Sequence, residues 1–209
     1  MSLTSPICYN RHMYFFNSIG NDNGKIAWIN LIRDPVERII SQFYYLRVYN
    51  KDREKQVLRW GIDPKLWFKM DLNECVKKGD PLCRYKAGDY QELQLSYFCG
   101  HMKMCREVGN QYALQQAKYN VEKHYSVVGI MENMNLFFKI LQHYLPRFFK
   151  DISEVGKIKL NKHLGKSKSK VSNETKIILR NRLSEDYELY EFIQQRLQLQ
   201  AKRIDDVMI

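Results

Sequence analysis

Long hydrophobic runs are missing from this sequence of 209 residues. No stretch reaches ~18 consecutive apolar residues, so the sequence contains no transmembrane helix, and its start lacks the pattern of a signal peptide. The C-x-x-C spacing of zinc sites and any other cluster of metal ligands are also absent, so no metal site is expected. The sequence has no internal repeat and no motif typical of a nucleic-acid-binding helix.

Positive charge is present in excess. The sequence contains 34 Lys and Arg against 23 Asp and Glu, a formal net charge of +11. Such a charge concentrates polyanions and makes their binding sensitive to salt. Nucleic acids and sulfated glycans are both polyanions, and a basic surface without a specific partner is a third interpretation. A hydrophobic content of 44% is enough for one core, so we expect a single domain over residues 1–209.

One strand-to-helix junction predicts an anion site. Residues Lys25 to Ile32 are largely apolar and β-prone, Asp34 suits a helix N-cap, and Pro35 suits the first helical position. Arg33 would then lie at the carboxyl end of a strand, beside the free N–H groups of a helix start, which bind phosphate. Ser41 follows Asp34 by about two turns and returns to the same helix face. A structural Arg–Asp ion pair is the alternative interpretation.

The same junction resembles the 3′-phosphate-binding segment of sulfotransferases that use 3′-phosphoadenosine 5′-phosphosulfate (PAPS). Further blocks, from Tyr9 to the C-terminus, are similar in order and residue type to heparan sulfate and uronyl 2-O-sulfotransferases. The blocks are Arg33-Asp34-Pro35 with Arg38, Ser41 and Tyr44-Tyr45, then Asn73-Glu74-Cys75, Tyr97-Phe98-Cys99-Gly100-His101, Ala117-Lys118-Tyr119-Asn120, Val128-Gly129-Ile130 and Leu145-Pro146-Arg147-Phe148-Phe149. Cys105-Arg106-Glu107 and the Tyr187–Phe192 helix resemble the uronyl branch, including its pipe-like relatives.

This resemblance implies an α/β fold of the P-loop-NTPase-like sulfotransferase type, in which helices flank a parallel sheet. The family's loop for the 5′-phosphosulfate lies upstream of the matched region. Lys166–Lys170 has a similar composition but lies between predicted helices, not after a strand, so it is no P-loop. We therefore expect the N-terminal part of the domain to be missing. The family's type II membrane anchor also precedes the catalytic domain, so its absence suggests a fragment or an incomplete gene model.

The implied activity is transfer of sulfate from PAPS to the 2-hydroxyl of a uronic acid in heparan, dermatan or chondroitin sulfate, with 3′-phosphoadenosine 5′-phosphate (PAP) as product and no metal. By the same resemblance, Arg33 and Ser41 bind the 3′-phosphate, while Ser167 and Lys170 in a basic loop close over the nucleotide. For that loop, a solvated charge run is the alternative.

His12 matches the family's catalytic base, and a histidine pKa suits proton transfer near neutrality. Asn10 stands where the heparan-specific relatives have a second histidine, which fits the uronyl branch. The alternative is a surface histidine near a frayed terminus.

Acceptor recognition requires guanidinium groups that bind carboxylates and sulfates. Arg47, Arg53 and Arg59 follow the cofactor helix and are our candidates, with solvated surface arginines as the alternative. The resemblance implies a homotrimer, and the helix Leu183–Arg203 is a candidate assembly surface. The alternative is that this helix packs within the monomer.

The cysteine spacing favours two local disulfides, Cys75 with Cys83 and Cys99 with Cys105, which leaves Cys8 over. Buried free thiols are the alternative in a reducing compartment. Disulfides imply an oxidising compartment, in agreement with the Golgi lumen that the resemblance suggests. The sequon Asn173-Glu174-Thr175 is compatible with glycosylation there.

Patterns along the chain predict alternating strands and helices, hence an α/β sheet with helices on both faces. We expect helices at Pro35–Tyr49, Tyr112–His124 and Glu132–Tyr144, a strand at Ser126–Ile130, a stop at Pro146, and a C-terminal helical region capped by Ser172. The stretch Asn50–Tyr90 predicts loops and short helices.

A second functional hypothesis comes from a different class of protein. A noncatalytic relative that binds polyanionic glycosaminoglycans would keep the fold and the basic groove but lack the 5′-phosphosulfate loop. Nucleic acid ranks third as a partner, because the basic residues are not interleaved with a recognised aromatic motif.

Overall fold

A small parallel sheet surrounded by helices forms the centre of the molecule. The computed structural model describes residues 8, 10–17, 26–154 and 171–207. Strand β1 is Trp28–Ile32 and strand β2 is Tyr125–Ile130. They pair in parallel, with Leu31 opposite Gly129 and Ile32 opposite Ile130. The predicted α/β class is confirmed.

Helices account for most of the remaining described chain. They are α1 Pro35–Leu46, α2 Lys51–Arg59, α3 Pro64–Lys69, α4 Leu72–Lys78, α5 Gln94–Cys99, α6 Gln111–His124, α7 Met134–Tyr144, α8 Pro146–Phe149, α9 Asn173–Arg182 and α10 Ser184–Val207. Across the part of the chain that is described, no helix is both long and apolar enough to span a bilayer.

Helix α1 begins where the sequence predicts. The Asp34 carboxylate accepts the N–H of Glu37 and Pro35 occupies the first turn. The predicted end at Tyr49 is wrong, since the helix ends at Leu46. The reason is that the Asn50 side chain caps α2, so the chain leaves the helical conformation before it.

Other predicted boundaries hold to within a few residues. The strand starts at Tyr125 instead of Ser126, and a 3₁₀ turn, Met131–Asn133, precedes α7, which therefore begins later than predicted. Ser172 caps α9 as expected by accepting the N–H of Thr175 at 3.1 Å. The stretch from residue 50 to residue 90 contains three short helices, as expected.

Two hydrophobic clusters hold these elements together. The larger surrounds β2, whose Val127 and Val128 pack among α6, α7 and α10. The smaller lies beneath α1, where Ile39 and Phe43 meet α4 and α9. Because helices α9 and α10 contribute to the two clusters, the C-terminal region helps to hold the helix that follows Arg33.

The C-terminal helical region packs within the chain. Leu189, Ile193 and Leu197 of α10 lie in the larger cluster and are almost fully buried. Packing within the monomer, the alternative to an assembly surface, therefore accounts for this face of the helix.

Both predicted disulfides are present. Cys75–Cys83 ties α4 to the turn after it, and Cys99–Cys105 ties the end of α5 to a 3₁₀ turn. Cys8 is a free, exposed thiol, as the odd cysteine count requires.

Candidate functional site

Arg33 lies at the carboxyl end of β1, immediately before the cap of α1. Its backbone is held by one side chain: the Arg33 N–H donates to Gln94 Oε1 at 2.8 Å, and Gln94 Nε2 donates to the Arg33 carbonyl at 2.7 Å. Gln94 is the first residue of α5. Gln94 was not predicted from the sequence, because no local pattern connects it to a residue 61 positions earlier.

Two cations flank one carboxylate at the start of α1. Arg33 Nη2 lies 3.4 Å from Glu37 Oε2, and Lys176 Nζ lies 2.9 Å from Glu37 Oε1. The acid paired with Arg33 is therefore Glu37, not the Asp34 of the alternative interpretation. Lys176 was also missed, since only the packing of α9 against α1 brings it here.

Asp34 connects the helix start to the C-terminal helix. Tyr187 Oη donates to Asp34 Oδ2 at 2.9 Å, and the Asp34 N–H donates to Glu132 Oε1 at 3.0 Å. Tyr190 Oη donates to Glu132 Oε2 at 3.2 Å. Burial, and next the hydrogen bond to Asp34, raise the pKa of Tyr187 to about 12. This network fixes the backbone at the junction, which keeps the N–H groups of α1 pointed at one place.

Asp186 positions α5, the helix that holds Arg33. The carboxylate is buried and accepts the N–H of Leu95 at 3.2 Å. Burial raises the pKa of Asp186 to about 6. A buried acid at a helix start satisfies free N–H groups and interacts favourably with the helix dipole.

Ser41 is half-buried in α1, about two turns beyond the cap as predicted. The other predicted nucleotide contacts, Ser167 and Lys170, lie outside the described residues.

His12 is exposed on a segment that docks against α5. The Phe15 N–H donates to the Tyr97 carbonyl at 2.8 Å, and the Tyr14 ring stacks on Tyr97 with 5.1 Å between centroids. Tyr14 Oη also donates to the Glu92 carboxylate. Burial, followed by this hydrogen bond, raises the pKa of Tyr14 to about 12. Helix α5 thus holds both the His12 segment and the Arg33 backbone.

The three candidate acceptor-binding arginines differ in environment. Arg47 is buried, and its guanidinium lies 3.4 Å from the Phe43 ring centroid and 4.2 Å from that of Trp67. Arg53 is half-buried near the start of α2, and Arg59 is exposed at its end. The structure therefore does not group the three as one exposed basic surface.

One group of possible metal ligands occurs among the described residues. Asp80 lies beside Cys75 and Cys83, but the two sulfurs are joined in a disulfide. They cannot act as thiolate ligands, so this group offers no metal site.

Comparison with known proteins identifies similar sequences. A sequence profile of the sulfotransferase family matches residues 4–193. The uronyl 2-sulfotransferase homolog pip of Drosophila melanogaster is 35% identical over 93% of this chain and 41% of its own length. Heparan sulfate 2-O-sulfotransferase 1 of Gallus gallus is 35% identical over 83% of this chain and 48% of its own length. Uronyl 2-sulfotransferase of Mus musculus is 29% identical over 95% of this chain and 49% of its own length. The chain spans about half the length of these curated relatives.

Proposed function

Because this chain belongs to the sulfotransferase family, we propose that it forms part of an enzyme that transfers sulfate from PAPS to the 2-hydroxyl of a uronic acid in glycosaminoglycans. The names of its relatives, a uronyl 2-sulfotransferase homolog and heparan sulfate 2-O-sulfotransferases, support this substrate class. The observation that carries the proposal is the anion site at the end of β1, where two cations and a helix start converge on one carboxylate.

The chemistry of this site fits a phosphate. Arg33 offers a guanidinium fork, Lys176 an ammonium group, and α1 its free N–H groups and the positive end of its dipole. The Arg33–Glu37 pair is long, at 3.4 Å, and partly exposed, so a dianionic phosphate can displace the carboxylate at little cost. We assign the 3′-phosphate of the nucleotide to Arg33, Ser41 and Lys176, with Ser167 and Lys170 as further contacts.

His12 is the proposed base. PAPS supplies an activated sulfuryl group whose phosphate leaving group takes up negative charge. The acceptor 2-hydroxyl gives its proton to the His12 imidazole as its oxygen bonds to sulfur and the bond from sulfur to the phosphate oxygen breaks. Because α5 holds both the His12 segment and Arg33, one short helix sets the position of the base relative to the nucleotide site.

The polyanionic acceptor is matched by the net charge of +11. We assign Arg53 and Arg59 of α2 to its carboxylates and sulfates, and Arg47 to a separate cavity at the end of α1. The two disulfides agree with an oxidising compartment, and we propose the Golgi lumen. Asn173 of the sequon is exposed, as glycosylation requires.

The finer architecture is also part of the proposal. The parallel pair β1–β2 would belong to a P-loop-NTPase-like sheet, and the chain would be a single, partial sulfotransferase domain. The 5′-phosphosulfate loop, the type II membrane anchor and homotrimer formation are properties proposed for the full-length protein on the basis of the family resemblance.

Calorimetric titration with PAP tests the nucleotide site. We expect saturable binding, weakened at least about 10-fold in Arg33→Ala and in Lys176→Ala, because each variant removes a charged hydrogen-bond donor. Arg203→Ala, which removes an exposed arginine near the end of α10, is the matched control and should bind as the parent does.

Three results would each contradict part of the proposal. A folded chain that fails to bind PAP but is retained by immobilised heparin supports the noncatalytic glycosaminoglycan-binding alternative. Equal PAP binding by Arg33→Ala and Arg203→Ala would refute the assigned phosphate site. A His12→Ala variant of the full-length protein that still transfers sulfate at the parent rate would refute the assigned base.

A further inference from the structure

An open cavity of about 350 Å³ lies between the end of α1 and the α2–α3 region. Its lining includes Arg47, Trp60, Trp67 and Glu92. The volume lies within the range of cavities that bind small ligands. We refer to these four residues and the space between them as the tryptophan cavity.

The Arg47 guanidinium is a buried charge that forms no salt bridge among the described residues, and the Asp80 carboxylate acts on it only at longer range. Its Nη1 donates to the Phe43 carbonyl at 3.0 Å and its Nη2 to Met70 Sδ at 3.3 Å, while Nε has no hydrogen-bond partner. No ion pair involving Arg47 occurs within the described ranges. Burial lowers the pKa of Arg47 to about 10, so the group remains charged at neutral pH. A buried, unpaired cation favours an oxyanion in the adjacent space.

The two indoles give the cavity an apolar wall. Trp67 is buried and donates its Nε1–H to the Leu46 carbonyl at 3.3 Å, which fixes its orientation. Trp60 meets it edge to face, with 5.6 Å between ring centroids, and stays 49% exposed. A pyranose ring has an apolar C–H face that packs on an aromatic ring, and polar groups at its edge. An exposed indole beside a cation therefore suits an acidic sugar better than an apolar ligand, which would leave the charge of Arg47 unpaired.

Glu92 links the cavity to the segment of the proposed base. Its carboxylate accepts the hydrogen bond of Tyr14, two residues after His12. Arg38, on the first turns of α1, donates to the Glu92 carbonyl at 3.4 Å. The cavity thus adjoins the same side of the molecule that carries His12.

We propose that the tryptophan cavity is a subsite for an acidic sugar residue of the acceptor chain, whose ring packs on Trp60 and whose oxyanion faces Arg47. This inference rests on the proposed function, since it identifies the bound chain with the sulfate acceptor. A uronate carboxylate and a sugar sulfate share the required oxyanion chemistry, and the experiment separates them.

Tryptophan fluorescence measures the proposed interaction directly, because two of the three tryptophans of the chain line the cavity. The titrants are an unsulfated octasaccharide of alternating glucuronate and N-acetylglucosamine, its carboxyl-reduced form, and an N-sulfated version of the reduced form, all without PAP. We expect a saturable signal with at least one charged titrant and weaker binding of the uncharged one by about 10-fold or more. Binding of the unsulfated glucuronate octasaccharide identifies a carboxylate as the bound group. Binding of the N-sulfated, carboxyl-reduced octasaccharide alone identifies a sulfate.

Three variants complete the test. Trp60→Ala and Arg47→Met should each weaken binding of the charged titrant by about 10-fold or more, whereas Arg203→Met, which removes an equal charge elsewhere, should change it less than about 2-fold. Arg47→Met should fold, because exchange of a buried unpaired charge for an apolar side chain of similar length is neutral or stabilising. Trp60→Ala removes a half-exposed side chain, so its result stands even if Arg47→Met fails to fold.

The outcomes separate this inference from the proposed function. Equal binding by Trp60→Ala and Arg203→Met, or equal binding of the charged and uncharged titrants, overturns the subsite while PAP binding and sulfate transfer remain unaffected. Loss of PAP binding in Arg33→Ala should leave the oligosaccharide signal intact. If the parent chain binds PAP but gives no fluorescence change with any titrant, the subsite is wrong and the nucleotide site stands.

Discussion

The hydrogen bond between Tyr187 and Asp34 allows a sharp test of how the C-terminal helix supports the junction proposed to bind phosphate. Tyr187→Phe removes one oxygen and preserves the ring. Tyr187 Oη lies 2.9 Å and 3.1 Å from the two carboxylate oxygens of Asp34, and the tyrosine is only 8% exposed. Hydrogen bonds to charged groups contribute about 1.5–3 kcal/mol.

We expect a loss near the lower end of that range. Asp34 keeps its bond to the Glu37 N–H at 2.9 Å and is half-buried, so water can replace the lost hydroxyl. A loss of about 1–2 kcal/mol corresponds to a fall in Tm of about 2–8 °C for a chain of this size. Tyr112→Phe, which alters an exposed tyrosine of α6, is the matched control and should leave Tm unchanged.

Burial of Tyr187, together with the same hydrogen bond, predicts a pH dependence of stability. The pKa of Tyr187 is raised from 10.0 to about 12 in the folded chain, so the native state holds this proton more tightly than the unfolded state. The contribution is fully present below pH 10.0, the unfolded value, and is lost as pH rises through about 12. Tyr187→Phe should therefore show a shallower loss of Tm above pH 10 than the parent.

A double-mutant cycle of Tyr187→Phe with Asp34→Asn measures the coupling, which we expect at about 0.5–2 kcal/mol. Calorimetry with PAP on the single variant should reveal weaker binding, because the junction that presents the helix N–H groups loses support. If Tyr187→Phe matches Tyr112→Phe in Tm and in PAP affinity, and the coupling is zero, the proposed support of the junction is wrong.

Three further predictions concern stability. Gly129→Ala should lower the free energy of unfolding by about 1–3 kcal/mol, because the new Cβ would lie 2.3 Å from the Phe137 ring. Adding Phe137→Leu to the same chain should recover part of the loss. Thermal unfolding of both variants measures this, and an unchanged Tm in Gly129→Ala contradicts it. The Asp186 carboxyl has a pKa raised from 3.8 to about 6 in the folded chain, so its contribution to stability falls as pH rises through that range. Asp186→Asn should therefore be at least as stable as the parent at pH 7 and less stable than the parent at pH 4. Urea unfolding at both pH values measures this, and a variant with the parent's pH profile would contradict it. Replacement of Cys75 and Cys83 by serine should lower the free energy of unfolding by about 2–3 kcal/mol, the loop-entropy value for a separation of 8 residues; urea unfolding against the oxidised parent measures the loss, and equal midpoints would contradict it.

Predictions that rest on neighbouring residues agree best with the structure. The Asp34–Pro35 start of α1, the Ser172 cap of α9 and the strand ending at Ile130 all follow from contacts within a few residues. The predicted end of α1 at Tyr49 is three residues too late, since apolar and aromatic residues continue to Tyr49, up to the Asn50 cap of the next helix.

The candidate site divides along the same line. Arg33 and Ser41 could be proposed from the sequence because their spacing relative to the helix start is local. Gln94, Lys176 and Tyr187 were not, because they reach the junction from separate elements; Gln94 lies 61 residues from Arg33, and Tyr187 lies 153 residues from Asp34.

Arg47 illustrates the physical reason for this division. By itself the sequence determined that the chain has this arginine about three turns into a helix that starts at Asp34, together with the strand, caps and cysteine spacings that short-range geometry dictates. Whether the guanidinium lies in water or between Phe43 and Trp67 depends on where α3 packs, which the tertiary structure alone decides. Burial, charge pairing and cavities are properties of surfaces brought together from distant parts of the chain, so the sequence determined the strand-to-helix junction of the proposed anion site, and the fold decided which side chains surround it.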